Sequence, residues 1–190
     1  LSKLPSKDAM RASLLGTLSE GYESNGDPGA ISSGSGDLGG KSYGAYQLAS
    51  RYDIPQKFFT WCIQQTSKSS YVDIGTQLQS AYTADGSTYG ANFDSVWKAL
   101  AAVGNTYGGT RGIFWQAQRD FIRLRYYDPI VSAIESSVSG FSMANYGIAL
   151  RNVFWSRSVQ HGSGGAKGLI TSAFGALGGF ANQDEATLID

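Results

Sequence analysis

After Pro5, Met10, Leu14, Leu15, Leu18 and Tyr22 recur mostly at three- and four-residue intervals, which predicts an amphipathic helix from about Ser6 to Tyr22. Gly21 and Asn25-Gly26 mark its end. From Asp27 to Gly44 the periodicity vanishes. Glycine, serine and aspartate dominate there, Ile31 and Leu38 are the only large aliphatic residues, and the stretch reads as short strands or a wide hairpin. Helical patterning returns at Ile54-Pro55, where a helix carrying Phe58, Phe59, Trp61 and Ile63 opens, followed by another near Tyr71 to Tyr82. Asp94 is placed to cap a helix over Ser95–Val103, whose Val96, Leu100 and Val103 share a face, and Gly104–Gly112 then breaks the chain. Further helices are expected over Ile113–Tyr126, from an Asp128-Pro129 start to about Ser137, over Met143–Gln160, from Ala166 to about Ala176, and from Asp184 onward. This order of elements predicts an α+β chain, predominantly α, with a small β-hairpin or loop region after the first helix.

At 190 residues the chain is long enough for one domain that buries roughly two-thirds to three-quarters of its unfolded surface. No internal repeat or linker forces a boundary, so residues 1–190 are expected to form a single domain. Charged residues make up only 16% against 42% hydrophobic, with a formal net charge of zero, which excludes the disordered class. The lysines and arginines are scattered without a basic stripe, so nucleic acid is not expected as a partner. Cys62 and His161 are each the only residue of their type, which leaves no disulfide, no thiolate cluster and no zinc-type ligand set; neither a metal nor another cofactor is expected. The longest uncharged stretch, Gly168–Gln183, is rich in small residues and falls short of the roughly 20 apolar residues that span a bilayer. The chain opens on Leu1 without a charged-then-apolar leader, as expected of a mature chain or a piece of a longer one.

The chemistry concentrates between Glu20 and Gln47. Four carboxylates, Glu20, Glu23, Asp27 and Asp37, stand there against one cation, Lys41, so counter-ions within the stretch do not account for them. Asp27 before Pro28 reads as a turn former. Gly34-Ser35-Gly36-Asp37-Leu38-Gly39 matches the dinucleotide pattern G-x-G-x-x-G, but that pattern works between a buried strand and a helix, and neither flank fits. Gly40-Lys41-Ser42-Tyr43-Gly44 matches the nucleophile elbow G-x-S-x-G, with His161 and Asp184 as conceivable partners of a Ser42 serine hydrolase, yet no apolar strand precedes it. A third reading pairs Glu23 with Asp37. Glycoside hydrolysis needs one carboxylic acid, its pKa raised by poor solvation, to protonate the leaving oxygen, and a second carboxylate to activate water or attack the anomeric carbon.

Glu23-Ser24, then Asp27-Pro28-Gly29-Ala30-Ile31-Ser32, then Gly44-Ala45-Tyr46-Gln47 resembles the lysozyme-like transglycosylase family, which carries E-S, a short variable stretch and G-x-x-Q. The goose-type lysozymes within it are similar in placing G-x-G-D, here Gly34-Ser35-Gly36-Asp37, before that glycine and glutamine. Gly36-Asp37-x-Gly39-Gly40-x-Ser42-Tyr43-Gly44-x-Tyr46-Gln47, with the distal Ser158-Val159-Gln160-His161-Gly162, resembles the peptidoglycan-hydrolase C-terminal extensions of type VI secretion VgrG spike proteins and related phage lysins. The close likeness covers Tyr22–Gln47 and the distal motif; the remainder agrees in being helical.

The resemblance implies a lysozyme-like fold, with Glu23 as general acid and Asp37 as the water-activating carboxylate; it alone selects Glu23 over Glu20. Ser42, Tyr43 and Gln47 are expected to line the sugar site, with Gln118, on the Trp115–Phe121 helix, and His161 as further substrate contacts. Goose-type lysozymes have another aspartate two residues after the glutamine, where this chain has Ala49, so more weight falls on Asp37. The implied substrate is the peptidoglycan glycan strand, cut between N-acetylmuramic acid and N-acetylglucosamine. Hydrolysis by an inverting route is favoured, because a carboxylate on a polar loop suits the wider separation of roughly 6.5–9.5 Å. A lytic transglycosylase, a chitosanase-like glycosidase, the Ser42 hydrolase and a non-catalytic glycan-binding module are the alternatives. Secretion or delivery to the target-cell periplasm, a monomeric domain and, for an effector, a cognate immunity protein plugging the cleft complete the expectation.

Overall fold

The computed structural model of the chain describes residues 15–16, 26–33, 40–103, 112–180 and 183–189. The chain divides into two compact units, one of Glu20–Phe121 and one of Leu1–Ser19 with Ile122–Asp190. Among the described residues there are seven α-helices and one small antiparallel hairpin, the predominantly α architecture with a β element expected from the pattern.

In the Glu20–Phe121 unit, strand β1 (Ser42–Tyr43) pairs with β2 (Leu48–Ala49), Ser42 opposite Ala49 and Tyr43 opposite Leu48. Helix α1 (Ile54–Gln64) has Pro55 in its first turn, where a missing N–H costs nothing, and buries Phe58, Phe59, Trp61 and Cys62. It packs on α2 (Ser69–Ala84), whose Tyr71, Ile74, Leu78 and Ala81 form one buried face at helical spacing. Helix α3 (Ala91–Ala102) begins four residues earlier than the pattern predicts. Its cap comes from the preceding turn: Asp85 accepts the backbone N–H of Asn92 at 3.3 Å and of Phe93 at 2.8 Å. Those hydrogen bonds, that of Phe93 foremost, hold the Asp85 carboxyl below the ordinary range, whereas Asp94 lies inside the first turn and is engaged elsewhere. Helix α4 (Ile113–Ile122) closes the unit. The core is aromatic: Tyr43, Phe58, Phe93, Trp97, Phe114 and Phe121 are fully buried, with Trp97 at 4.9 Å from Phe114 and 5.1 Å from Tyr43 between ring centroids.

In the other unit a π-helical turn, Arg123–Tyr127, runs into α5 (Asp128–Ser137). The expected Asp128 cap is corrected here, since Tyr127 and Asp128 both have right-handed helical dihedrals. Pro129 explains the local geometry. Its ring has no N–H and clashes with the carbonyl four residues back, and a widened turn relieves both. Helix α6 (Ile148–Ala176) is interrupted at Gly162 (φ 65°, ψ 173°), so the two helical stretches predicted on either side of that glycine are present. The first starts at Ile148, after a 3₁₀ turn at Met143–Asn145, because Glu185 accepts the N–H groups of Gly147 (2.9 Å) and Leu150 (3.1 Å) there. Asp184 caps the short α7 (Glu185–Ile189) by accepting the Thr187 N–H at 2.8 Å.

Leu15 and Gly16 form a turn, which corrects the expectation of one unbroken helix from Ser6 to Tyr22; the remainder of that helix lies outside the described residues. Gly16 has φ +84°, donates its N–H to Asn152 Oδ1 at 2.8 Å, and a Cβ there would sit 2.6 Å from the Trp155 ring. Gly16→Ala is therefore expected to lower unfolding free energy by about 2–4 kcal/mol, from left-handed strain and overpacking together. Urea unfolding followed by circular dichroism measures it. No helix among the described residues is long and apolar enough to cross a membrane.

Candidate functional site

Glu23 and Asp37 lie outside the described residues. The described chain on both sides of Asp37 forms a tightly specified frame. Asp27 makes the expected turn, accepting the Gly29 N–H on Oδ1 at 2.8 Å. Ile31 bridges Tyr43, Ser32 N–H donates to Ser42 O at 2.9 Å, Ser42 N–H donates to Ser32 Oγ at 2.9 Å, and Gly44 N–H donates to Ala30 O at 2.7 Å. Residues 30–32 and 42–44 thus meet in one short ladder.

Two sets of side chains fasten that ladder to the helices. At one, Asp94 accepts the Tyr43 hydroxyl on Oδ1 (2.6 Å) and the Lys41 ammonium on Oδ2 (2.8 Å), while Lys41 also donates to Tyr89 O at 3.0 Å. Burial, reinforced by the Asp94 hydrogen bond, pushes the Tyr43 phenol far above its ordinary pKa, so it remains a donor. At the other, Pro28 O accepts from Trp97 Nε1 at 2.8 Å and from Gln118 Nε2 at 3.0 Å, and Gln118 Oε1 accepts the Ala45 N–H at 2.9 Å.

The sequence-predicted contacts separate on this geometry. Tyr43 is fully buried, Ser42 is nearly so, and Gln118 is 0% exposed with both ends of its amide on backbone groups, so these three build the frame instead of presenting a sugar-facing surface. Gln47 is half-buried in the left-handed region (φ 48°) and folds its amide back, donating from Nε2 to Gly44 O at 3.1 Å. Ser42 stands on a two-residue strand that leads through a turn into a second strand and not directly into a helix, so the nucleophile-elbow geometry is absent. His161 belongs to the other unit, exposed just before the Gly162 interruption, on the wall of a cavity of about 330 Å³ lined by Phe154, Arg157, Leu169, Phe174 and Leu188. No group of three or more His, Cys, Asp or Glu that could hold a metal occurs among the described residues. The sequence pattern reads Asp94 as a helix cap and does not single out Trp97. Nothing in a linear pattern shows that a loop will dock on either.

The family described as "Type VI secretion system spike protein VgrG3-like, C-terminal" matches residues 15–189. The chain belongs to that family. It is also 34% identical over 166 residues to the type VI secretion system spike protein VgrG3 of Vibrio cholerae serotype O1 (strain ATCC 39315 / El Tor Inaba N16961), across 87% of the present chain. It spans only 14% of that relative's length. The VgrG3-like match covers almost the whole of both units, including the ladder, Asp94 and Gln118.

Proposed function

We propose that this VgrG3-like domain is a peptidoglycan hydrolase, a muramidase that cuts the glycan strand between N-acetylmuramic acid and N-acetylglucosamine. Its place in a spike family supports delivery outside the producing cell, with the target-cell periplasm as the site of action. The observation that carries the reading is the fixed ladder: the segment bearing Asp37 is anchored at both ends by buried side chains, within the Glu23-to-Gln47 pattern shared with lysozyme-like enzymes. Glycan cleavage by two carboxylates demands that degree of positioning.

In this mechanism Glu23, protonated, gives its proton to the glycosidic oxygen as the bond to the anomeric carbon breaks. Asp37 takes a proton from the water that attacks that carbon from the opposite face, so the product sugar carries a new hydroxyl of inverted configuration. Gln47, half-exposed at the end of the turn, is the member of the frame assigned to meet the glycan. Mass spectrometry of fragments released from purified sacculi tests the reaction. Reducing-end muropeptides are expected, and Asp37→Asn should lower their release by about 10²–10⁴-fold. Release of 1,6-anhydro products by the parent domain would instead assign the water-free transglycosylase reaction and remove the role of Asp37.

A further inference from the structure

The turn joining β1 to β2, Gly44–Gln47, is unusual in being buried at its centre, with Ala45 at 0% and Tyr46 at 1% exposure. A buried backbone N–H must be paired, and Ala45 sits in a turn outside the β1–β2 ladder. Gln118 supplies the partner. Its amide is bifunctional, and it uses both functions on the same loop: Oε1 on the Ala45 N–H and Nε2 on Pro28 O. These two backbone groups lie on opposite sides of the segment that contains Asp37. Gly44 is shaped to admit it. It has φ +76°, and a Cβ at that position would overlap the Gln118 amide. Trp97 shares Pro28 O, so the acceptor is held from two helices.

We propose that Gln118 is a positioning residue for the glycan-cleaving reaction, a single buried amide that fixes the two sides of the Asp37-bearing loop at a set separation. The inference rests on the hydrolase reading for its effect on rate, and on the hydrogen bonds alone for its effect on the loop. Of the side chains nearest in shape, methionine and leucine have no donor or acceptor to match, and an ionised glutamate accepts but does not donate.

The test uses Gln118→Met, which keeps the volume and removes both hydrogen bonds. Amide hydrogen exchange at Ala45 is expected to rise about tenfold or more, with amides in the middle of α1 and α2 unchanged. On sacculi, kcat is expected to fall about tenfold or more with KM little altered, the split of a displaced reacting group and not of lost binding. A folded Gln118→Met domain with parental Ala45 exchange or parental kcat overturns the proposal. If that variant does not fold, Gln118→Glu decides: protonated, its carboxyl reproduces the donor and acceptor of the amide, so activity relative to the parent must climb as pH falls, and a flat ratio overturns the proposal. The hydrolase reading fails separately. A parent domain that releases no fragments removes it, while accelerated Ala45 exchange in Gln118→Met still upholds the positioning of the loop.

Discussion

Glu23→Gln is expected to abolish lysis of purified sacculi, lowering fragment release by about 10²–10⁴-fold or below detection, with the fold retained. Glutamine has the shape of the acid and can still hydrogen-bond a sugar, but it has no proton of suitable pKa to transfer to the leaving oxygen. Binding of the glycan should therefore persist in a pull-down with sacculi while turnover stops. Glu20→Gln serves as the neighbouring control and should keep near-parental activity, because the likeness to lysozyme-like enzymes selects Glu23. Retained activity in Glu23→Gln, with loss in Ser42→Ala, would move the chemistry to a serine hydrolase. The strand–turn–strand setting of Ser42 argues against that result.

Trp97→Ala is expected to be the most destabilising single change in the Glu20–Phe121 unit, by about 3–5 kcal/mol. The indole is fully buried and stacks its neighbours on every side: Tyr43, Phe58, Phe93 and Phe114 have ring centroids within 5.9 Å of it. Removing it opens a cavity among rings that cannot all close in, and it also takes from Pro28 O one of its two donors. Urea denaturation read by far-ultraviolet circular dichroism gives the change in free energy. Val103→Ser, at a residue 65% exposed, is the control and should stay within about 0.5 kcal/mol. Because Trp97 also holds the loop, a folded remnant of Trp97→Ala should lose activity out of proportion to its population of native molecules.

The helices that came directly from the pattern are those whose cause is local. Phe58, Phe59 and Cys62 on α1, and Tyr71, Ile74, Leu78 and Ala81 on α2, recur on one face because the helix period puts them there, and Pro55 marks a start by its own covalent geometry. Boundaries fixed by distant partners were not visible. Asp94 had the residue type and position of a cap, but Asp85 took that role and left Asp94 to bind Lys41 and Tyr43. Asp128-Pro129 had the signature of a helix start, but the preceding residues were already helical and the proline was absorbed by a π turn. Gly16 lies within an apolar repeat that reads as helix, whereas it adopts a left-handed turn packed closely against Trp155.

The same division holds for the site. By itself the sequence determined that carboxylates outnumber cations in a glycine-rich stretch, and that Glu23, Asp37 and Gln47 stand in the order of a lysozyme-like pattern; residue type and spacing along the chain are enough for that. Which residues of that neighbourhood face outward was decided only by tertiary structure. Ser42, Tyr43 and Gln118 have polar groups suited to a sugar, yet burial turns all three inward, Tyr43 onto Asp94 and Gln118 onto the backbone of the loop. The physical reason is that a polar loop folded against an aromatic core carries backbone groups out of water, and each must find a partner inside. The partners are supplied by helices some 50 to 90 residues away in the chain, at separations that no periodic pattern encodes.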